Sequence, residues 1–579
     1  MVKKMKIRIN ELKFDLNEAL NDANICTKIM KKTKLRKDQI ISYAIVRESI
    51  DARKGITFSY VVDIETSKTT YLMQNGFNIA PDPFEPIDVV YKSKLSAFTV
   101  EQKQRPIVIG FGPAGIFAAL QLARAGLKPI VLEMGDAVDN RQKVVEAFWE
   151  TGKLNPKSNV QFGEGGAGAF SDGKLTTRVK DQRIEFVLNY LVKAGAPPEI
   201  IYKNKPHIGT DILCDVVKKL RQEILTLGGK VLFNTKVIDF KFGSGSDSGS
   251  GSESDAGFGE VLCEDNSSFQ SQYIVLAIGH SARELFYKLE SHGVSMVQKP
   301  FAMGVRIEHP QKLINVAQFG KAHNHEKLGA AEYKLTFNAS NGRSVYSFCM
   351  CPGGRVVASA SEDKRLVVNG MSYHSRDLKN ANSALLVNIA PADFGSEHVL
   401  AGVEFQRKLE ALAYEAGGGG YSAPVERLDT FLGNANGHYS GGYVFNLKKA
   451  EDYYLLSDVD YDQEMSGYDI TYTPKVKYTS LDGFLPDYMC VALKEAIVHF
   501  GKQIPGFDDP RVVLTAIESR SSSPIRIIRN PETLASVSHS SLYPCGEGAG
   551  YAGGITSSAV DGVKVAEEII KVILNIEMT

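Results

Sequence analysis

The chain has 579 residues, enough for several domains, and its 43% hydrophobic and 23% charged residues are the balance of an ordinary globular protein. Lysine plus arginine and aspartate plus glutamate each total 67, so no net charge draws it toward nucleic acid or a membrane surface. Seven scattered cysteines argue against a disulfide framework, no apolar stretch follows the basic first residues, and no run is suited to span a membrane; the expectation is a reduced, cytoplasmic protein.

Residues 1–95 read as a small α+β unit, with a strand over 5–12, a helix over 16–30, and strands over 40–47 and 56–64 paired about a turn ending at Gly55. Lys28-Ile-Met-Lys-Lys-Thr-Lys-Leu-Arg-Lys37 is basic. An RNA-binding patch is one reading, but without interleaved aromatics a solvated helix end is favoured. Three prolines within 79–86 and the polar run 99–105 mark a boundary.

Next comes a β-branched run, Ile107-Val108-Ile109, entering Gly110-Phe111-Gly112-Pro113-Ala114-Gly115; an apolar helical pattern follows, and a second strand ends at Glu133. This βαβ pattern points to a dinucleotide. Gly110 permits the turn, Gly112 lets backbone approach a pyrophosphate, Gly115 lets helix pack on strand, and the Glu133 carboxylate stands where an acid accepts a ribose hydroxyl.

A helix is expected over 140–150, followed by a loop with five glycines between Gly163 and Gly173, including Gly165 and Gly166. Such density brings backbone close to something, and Ser171 and Lys174 add a donor and a cation suited to an anionic, planar ligand. A helix over 211–227, whose cap could be Thr210, and a strand over 230–240 follow. Residues 242–259 form a glycine and serine loop with nothing to bury. The strand over 272–278 ends at Gly279-His280-Ser281, with His280 read first as a packing residue.

Residues 296–504 have a strand and loop texture with few long helices. Cys349 and Cys351 there could cycle as thiols, ligate a metal or be buried small hydrophobes; with no second pair at zinc spacing, metal is disfavoured. Arg306, Arg520 and Arg526 offer guanidinium forks to an anionic substrate, or to carboxylates that hold the domain together. A last strand runs into Cys545-Gly-Glu-Gly-Ala-Gly-Tyr-Ala-Gly-Gly554, and a long helix over 555–575 returns to the glycine turn plus helix form.

These pieces resemble the FAD-binding domains of glutathione-reductase-type flavoproteins: Pro113-Ala114 inside the glycine motif, Ala277-Ile278-Gly279 in place of their Ala-Thr-Gly, and Tyr543-Pro-Cys-Gly-Glu547 as their last strand. There Glu547 stands where those proteins carry an aspartate on the ribityl chain. More narrowly, FGEGGAGAFSDGKL, KPHIGTD, LAIGHSAR, FCMCPGG, NGMS, ANSAL, SSPIRI and CGEGAGYAGGITSSAVDG, with Arg47-Glu-Ser-Ile-Asp-Ala-Arg53, are similar to a family of poorly characterised FAD-dependent dehydrogenases.

The resemblance implies FAD and redox activity without naming a substrate. No second GxGxxG follows a strand, so NAD(P)H would dock only transiently, and no CxxC adjoins the first motif, so a disulfide-reductase mechanism is unsupported.

The expected architecture is an α/β, Rossmann-like FAD-binding domain of glutathione-reductase type (96–295 and 506–579), with an inserted mixed α+β substrate domain (296–505) and the N-terminal α+β domain (1–95). Besides the residues named, Met134, Arg141, Val237, Ala277, Gly546, Gly554 and Ile555 complete the candidate cofactor set. The expected function is an FAD-dependent oxidoreductase acting on a small molecule, the alternatives being a flavoprotein acting on RNA or a sensor with structural FAD.

Overall fold

Three-residue apolar runs make the parallel sheet on which the protein is built. In the computed structural model, which describes residues 5–51, 55–96, 105–243, 257–433 and 469–575, the strands lie in the order Leu542–Pro544, Ile274–Leu276, Ile107–Ile109, Ile130–Leu132, Lys230–Leu232. The three central strands are buried, which is why they read as unbroken apolar runs rather than alternating ones. Helices Pro113–Arg124 and Ile555–Ile573 pack together on this sheet. They approach so closely that a Cβ on Gly562 would lie 2.1 Å from the Ala114 carbonyl oxygen.

The strand expected over 230–240 is two strands. Lys230–Leu232 completes the parallel sheet, and Val237–Phe242 begins an antiparallel meander with Gly259–Cys263 and Ser268–Ser271. Most of the expected glycine and serine loop, most of 99–105, and Ala52 and Arg53 lie outside the described residues. Helix Thr210–Thr226 starts at Gly209, and the Thr210 hydroxyl, expected as its cap, donates instead to the Ala169 carbonyl.

An eight-stranded sheet carries the second unit. Its path runs Thr336–Asn338, Ser344–Ala358, Asn380–Ile389, Phe301–Pro310, Val513–Glu518, Ala423–Arg427, Val476–Tyr478, with Val368–Ser372 pairing on Ser344–Ala358. Met303, Val305, Leu385 and Val387 face a large apolar core shared with helices Ala401–Ala416 and Asp487–Gly501, both longer than the loop-rich texture suggested. On the opposite face, one residue out of phase, Ala302, Ala384 and Leu386 cluster with Tyr346 and Phe348.

Val513–Glu518, expected beyond a boundary at 505, belongs to this sheet: it pairs with Phe301–Pro310 and Ala423–Arg427. Met296–Gln298 and Ile525–Ile527 pair antiparallel where the chain enters and leaves the unit, so the insertion reaches about twenty residues beyond the expected boundary at 505.

The N-terminal unit is a four-stranded antiparallel sheet (Ile40–Asp51, Thr57–Thr66, Lys6–Asp15, Asn78–Ile79) with helix Asp22–Thr33. The helix starts later than expected because the Asn21 side chain accepts the Asn24 N–H. Its basic run is partly neutralised locally: Lys28 pairs with Glu18 at 2.8 Å and Arg36 with Asp38 at 3.1 Å.

Candidate functional site

A cleft of about 1350 Å³, counting its open mouth, lies between the carboxyl ends of the parallel strands and the apolar face of the large sheet. Open α/β sheets bind ligands at that edge. Five distant segments line it: the first glycine turn, the loop through Lys174, Ala277–Ser281 (residues 277–281), the large-sheet strands, and the turn before the last helix.

Helix Pro113–Arg124 begins at Gly112 and helix Ile555–Ile573 at Gly554, neither with a side-chain cap, and both starts line the cleft. Their first N–H groups and positive dipole ends are therefore available to negative charge. The glycines serve different ends. A Cβ on Gly110 would strike the Ala277 carbonyl at 2.4 Å and one on Gly115 the Gly110 carbonyl at 2.0 Å, so both are demanded by packing. At Gly553 and Gly554 a Cβ would meet nothing within 4 Å. That open backbone faces the cleft.

Glu133 lines the cleft and accepts three backbone N–H groups: Phe111 at 2.8 Å, Gly135 at 2.9 Å and Gly163 at 2.9 Å. It ties the first glycine turn to the second glycine loop. Two oxygens with about four acceptor sites leave room for a hydroxyl besides. Glu547, also on the wall, has His280 Nδ1 3.4 Å from its carboxylate. The turn carrying it is held from behind by Asp561, which accepts the Gly546 N–H at 2.7 Å and grips Arg529.

Several expected ligand residues work behind the wall. Arg141 is wholly buried and donates to the carbonyls of Asn159, Val160, Glu164 and Gly166, shaping the second loop. Burial pulls its guanidinium down to about 10. Gly115, Gly165, Met134, Val237 and Gly546 do not line the cleft. Pro113, Ala114, Gly166, Ser171, Lys174, Ala277, Gly279 and Ile555 do. Ser171 is engaged locally, donating to the Gly168 carbonyl and accepting the Gly173 N–H.

The arginines expected to meet substrate differ from that reading. Arg306 is buried and saturated by Glu518, Asn369, Asn382 and the Cys349 carbonyl, because a central sheet strand carries it into the wall. Arg526 is exposed beside Tyr551 and away from the cleft. Arg520 does line it, though its guanidinium is held by Glu410 at 3.1 Å and by the Ser281 and Ser361 hydroxyls. Arg283 clamps the other side of Glu410, whose carboxyl these two cations hold far below the usual range.

Cys349 and Cys351 both line the cleft. The strand is irregular between Phe348 and Cys351, with Cys349 at φ +40°. Cys349 is accessible in the cleft while Cys351 is buried, its thiol donating to the Cys349 carbonyl at 3.2 Å. Surrounding protein pushes the two thiols up to about 12 and 11, so both are protonated at neutral pH. Among the described residues no cluster suits a metal ion, and no helix is long and apolar enough to cross a membrane.

Missed by the sequence reading were Gln161, which donates to the Ser359 hydroxyl, and Asp561. Asp561 left one signal: an acid in the middle of the buried run Ala559, Val560, Gly562, Val563 needs a partner.

Residues 300–450 and 438–521 match the family described as "FAD-dependent protein, C-terminal domain-like", and residues 6–65 match "Domain of unknown function (DUF8436)". The first match coincides with the large-sheet unit, including Val513–Glu518, and supports FAD as the dinucleotide. The fold is of the mixed α/β class, and the match assigns its large-sheet unit to a domain family described as FAD-dependent.

An "Uncharacterized protein" of Clostridium beijerinckii is 47% identical over 578 residues, covering 98% of this chain and 99% of that protein, and this chain belongs to its family. Among solved structures, HlmI matches over 31% of this chain and 36% of its own at 18% identity with a TM-score of 0.17. CtdE in complex with FAD and substrate 4 matches over 81% and 83% at 11% identity with a TM-score of 0.32. Likenesses at such scores say nothing about the function of this chain.

Proposed function

We propose that the protein is an FAD-dependent oxidoreductase, with a glutathione-reductase-type, Rossmann-like FAD-binding domain, acting in the cytoplasm on a small molecule at the large-sheet wall of the cleft. One observation carries the reading: two uncapped helix N-termini, from Gly112 and Gly554, open on the same cleft beside backbone with no Cβ to obstruct it. A tight turn without a ligand would not need two. Sheet order and the antiparallel meander support the same domain type.

FAD, when bound, supplies two-electron hydride chemistry. The N–H groups after Gly112 would hold the pyrophosphate, Glu133 would accept from the ribose and Glu547 from the ribityl chain. The Ile555 helix end, uncapped on the cleft, would favour negative charge on the cofactor. NAD(P)H, where it is the donor, docks transiently. Cys349 and Cys351 face the reaction space as thiols; any part they take needs a base to ionise them.

The test is purification without added cofactor, an absorbance spectrum, and anaerobic titration with NADH and NADPH. A yellow protein that a reductant bleaches is the expected result. A colourless protein unable to take up FAD would overturn the reading.

A further inference from the structure

Where the second glycine loop meets the large sheet, three cations gather on two carboxylates. Lys174 lines the cleft; its ammonium donates to the Met350 carbonyl, between the two cysteines, and lies 3.7 Å from Glu332. The same Glu332 is shared with Lys205 at 3.7 Å and Arg376 at 2.7 Å, and Arg376 also grips Asp172. Exposed Arg178 adds a charge nearby, opposing the rise that burial causes in the Tyr346 phenol. Glu518, further along the wall, is matched by Arg306. Three cations on two carboxylates leave one positive charge over, and Lys174 is the cation of the three that lines the cleft.

Beside them lies the apolar wall. Phe348 lines the cleft, Tyr346 packs edge-on against it at 6.3 Å between centroids, and Ala302, Ala384 and Leu386 back them. We infer that this corner is a subsite for an organic carboxylate, its acid group on Lys174 and its apolar body against Phe348, and that the substrate of the proposed oxidoreductase is such an acid. The inference rests on the reading above for the redox chemistry, though the subsite stands on its own residues.

Surplus charge beside apolar surface selects for a small amphipathic anion. The forks of Arg306 and Arg376, the geometry that suits phosphate, are already engaged by carboxylates, leaving a lysine point charge. An ammonium partly screened by protein holds a carboxylate more strongly than it would in water.

Calorimetric titration of the purified protein with benzoate, and separately with benzamide, tests this. Heat reports binding without requiring flavin turnover, and flavin content measured on the same sample tests the underlying reading separately. Expected are saturable binding of benzoate, at least tenfold weaker binding of benzamide, and a tenfold or greater loss for Lys174→Gln that Lys174→Arg largely restores. Exposed Arg178→Gln, which leaves the wall intact, weakens benzoate by a smaller factor that disappears at high salt. Equal binding of the two probes, no saturable heat from benzoate, or equal affinity in wild type and Lys174→Gln overturns the inference.

Discussion

The Asp561 carboxylate holds the Arg529 guanidinium at 2.7 and 3.0 Å and with the same group accepts the Gly546 N–H, tying the last helix to the turn that carries Glu547. Both side chains are nearly buried, 8% exposed each. Asp561→Asn leaves a buried guanidinium uncompensated, a loss of about 3–5 kcal/mol. The variant should melt well below wild type in scanning calorimetry and retain less flavin at equal folded fraction.

Gly562→Ala and Gly553→Ala should separate packing from ligand approach. The first places a Cβ 2.1 Å from the Ala114 carbonyl and forces the two helices apart, at a cost of about 1–3 kcal/mol or more. The second meets nothing within 4 Å. Gly553→Ala should keep the wild-type melting temperature of flavin-free protein while FAD affinity, from fluorescence titration, falls severalfold.

Glu133→Gln replaces an acceptor of three N–H groups with one whose nitrogen must face a donor. Flavin content after dialysis should fall at least tenfold, and stability in urea by about 1–3 kcal/mol.

His309 is buried, with Nε2 2.8 Å from the Phe507 carbonyl and Nδ1 without a partner among the described residues. Burial pulls it down to about 4 from an ordinary 6.5, so the unfolded chain binds more protons between those values. Stability is fully present above pH 6.5 and is lost as pH falls toward 4, by up to about 3 kcal/mol. Chemical denaturation at pH 7.5, 6, 5 and 4 should show this slope, and His309→Gln should flatten it.

At pH 8 a thiol pushed up to about 12 is almost wholly protonated. Cys349 should be alkylated by iodoacetamide more slowly than a free thiol of pKa about 8.5, as read by peptide mass spectrometry.

Much of the dinucleotide half was legible because its signals are local. A glycine motif, a strand and a helix start lie within 27 residues, and steric demands at Gly110 and Gly115 act over that same span. The far wall was not. That Val513–Glu518 crosses back into the large sheet depends on a strand 200 residues earlier, and its apolar run would fit either unit. Arg141 and Arg306 carried no mark of their destinations either. A sequence shows a donor fork; only the fold shows that carbonyls and carboxylates of distant segments already fill it.

The chain crosses into the large-sheet unit and back through Met296–Gln298 and Ile525–Ile527, which lie side by side as one ribbon. Because both crossings share a single doorway, the whole unit is a cassette. It is one continuous insertion, yet Phe148, Trp149 and Phe170 of the nucleotide half pack into its core, so the two units share a core as well as a cleft. A change in the large-sheet unit is therefore felt in the loop through Phe170 that lines the cleft from the other side.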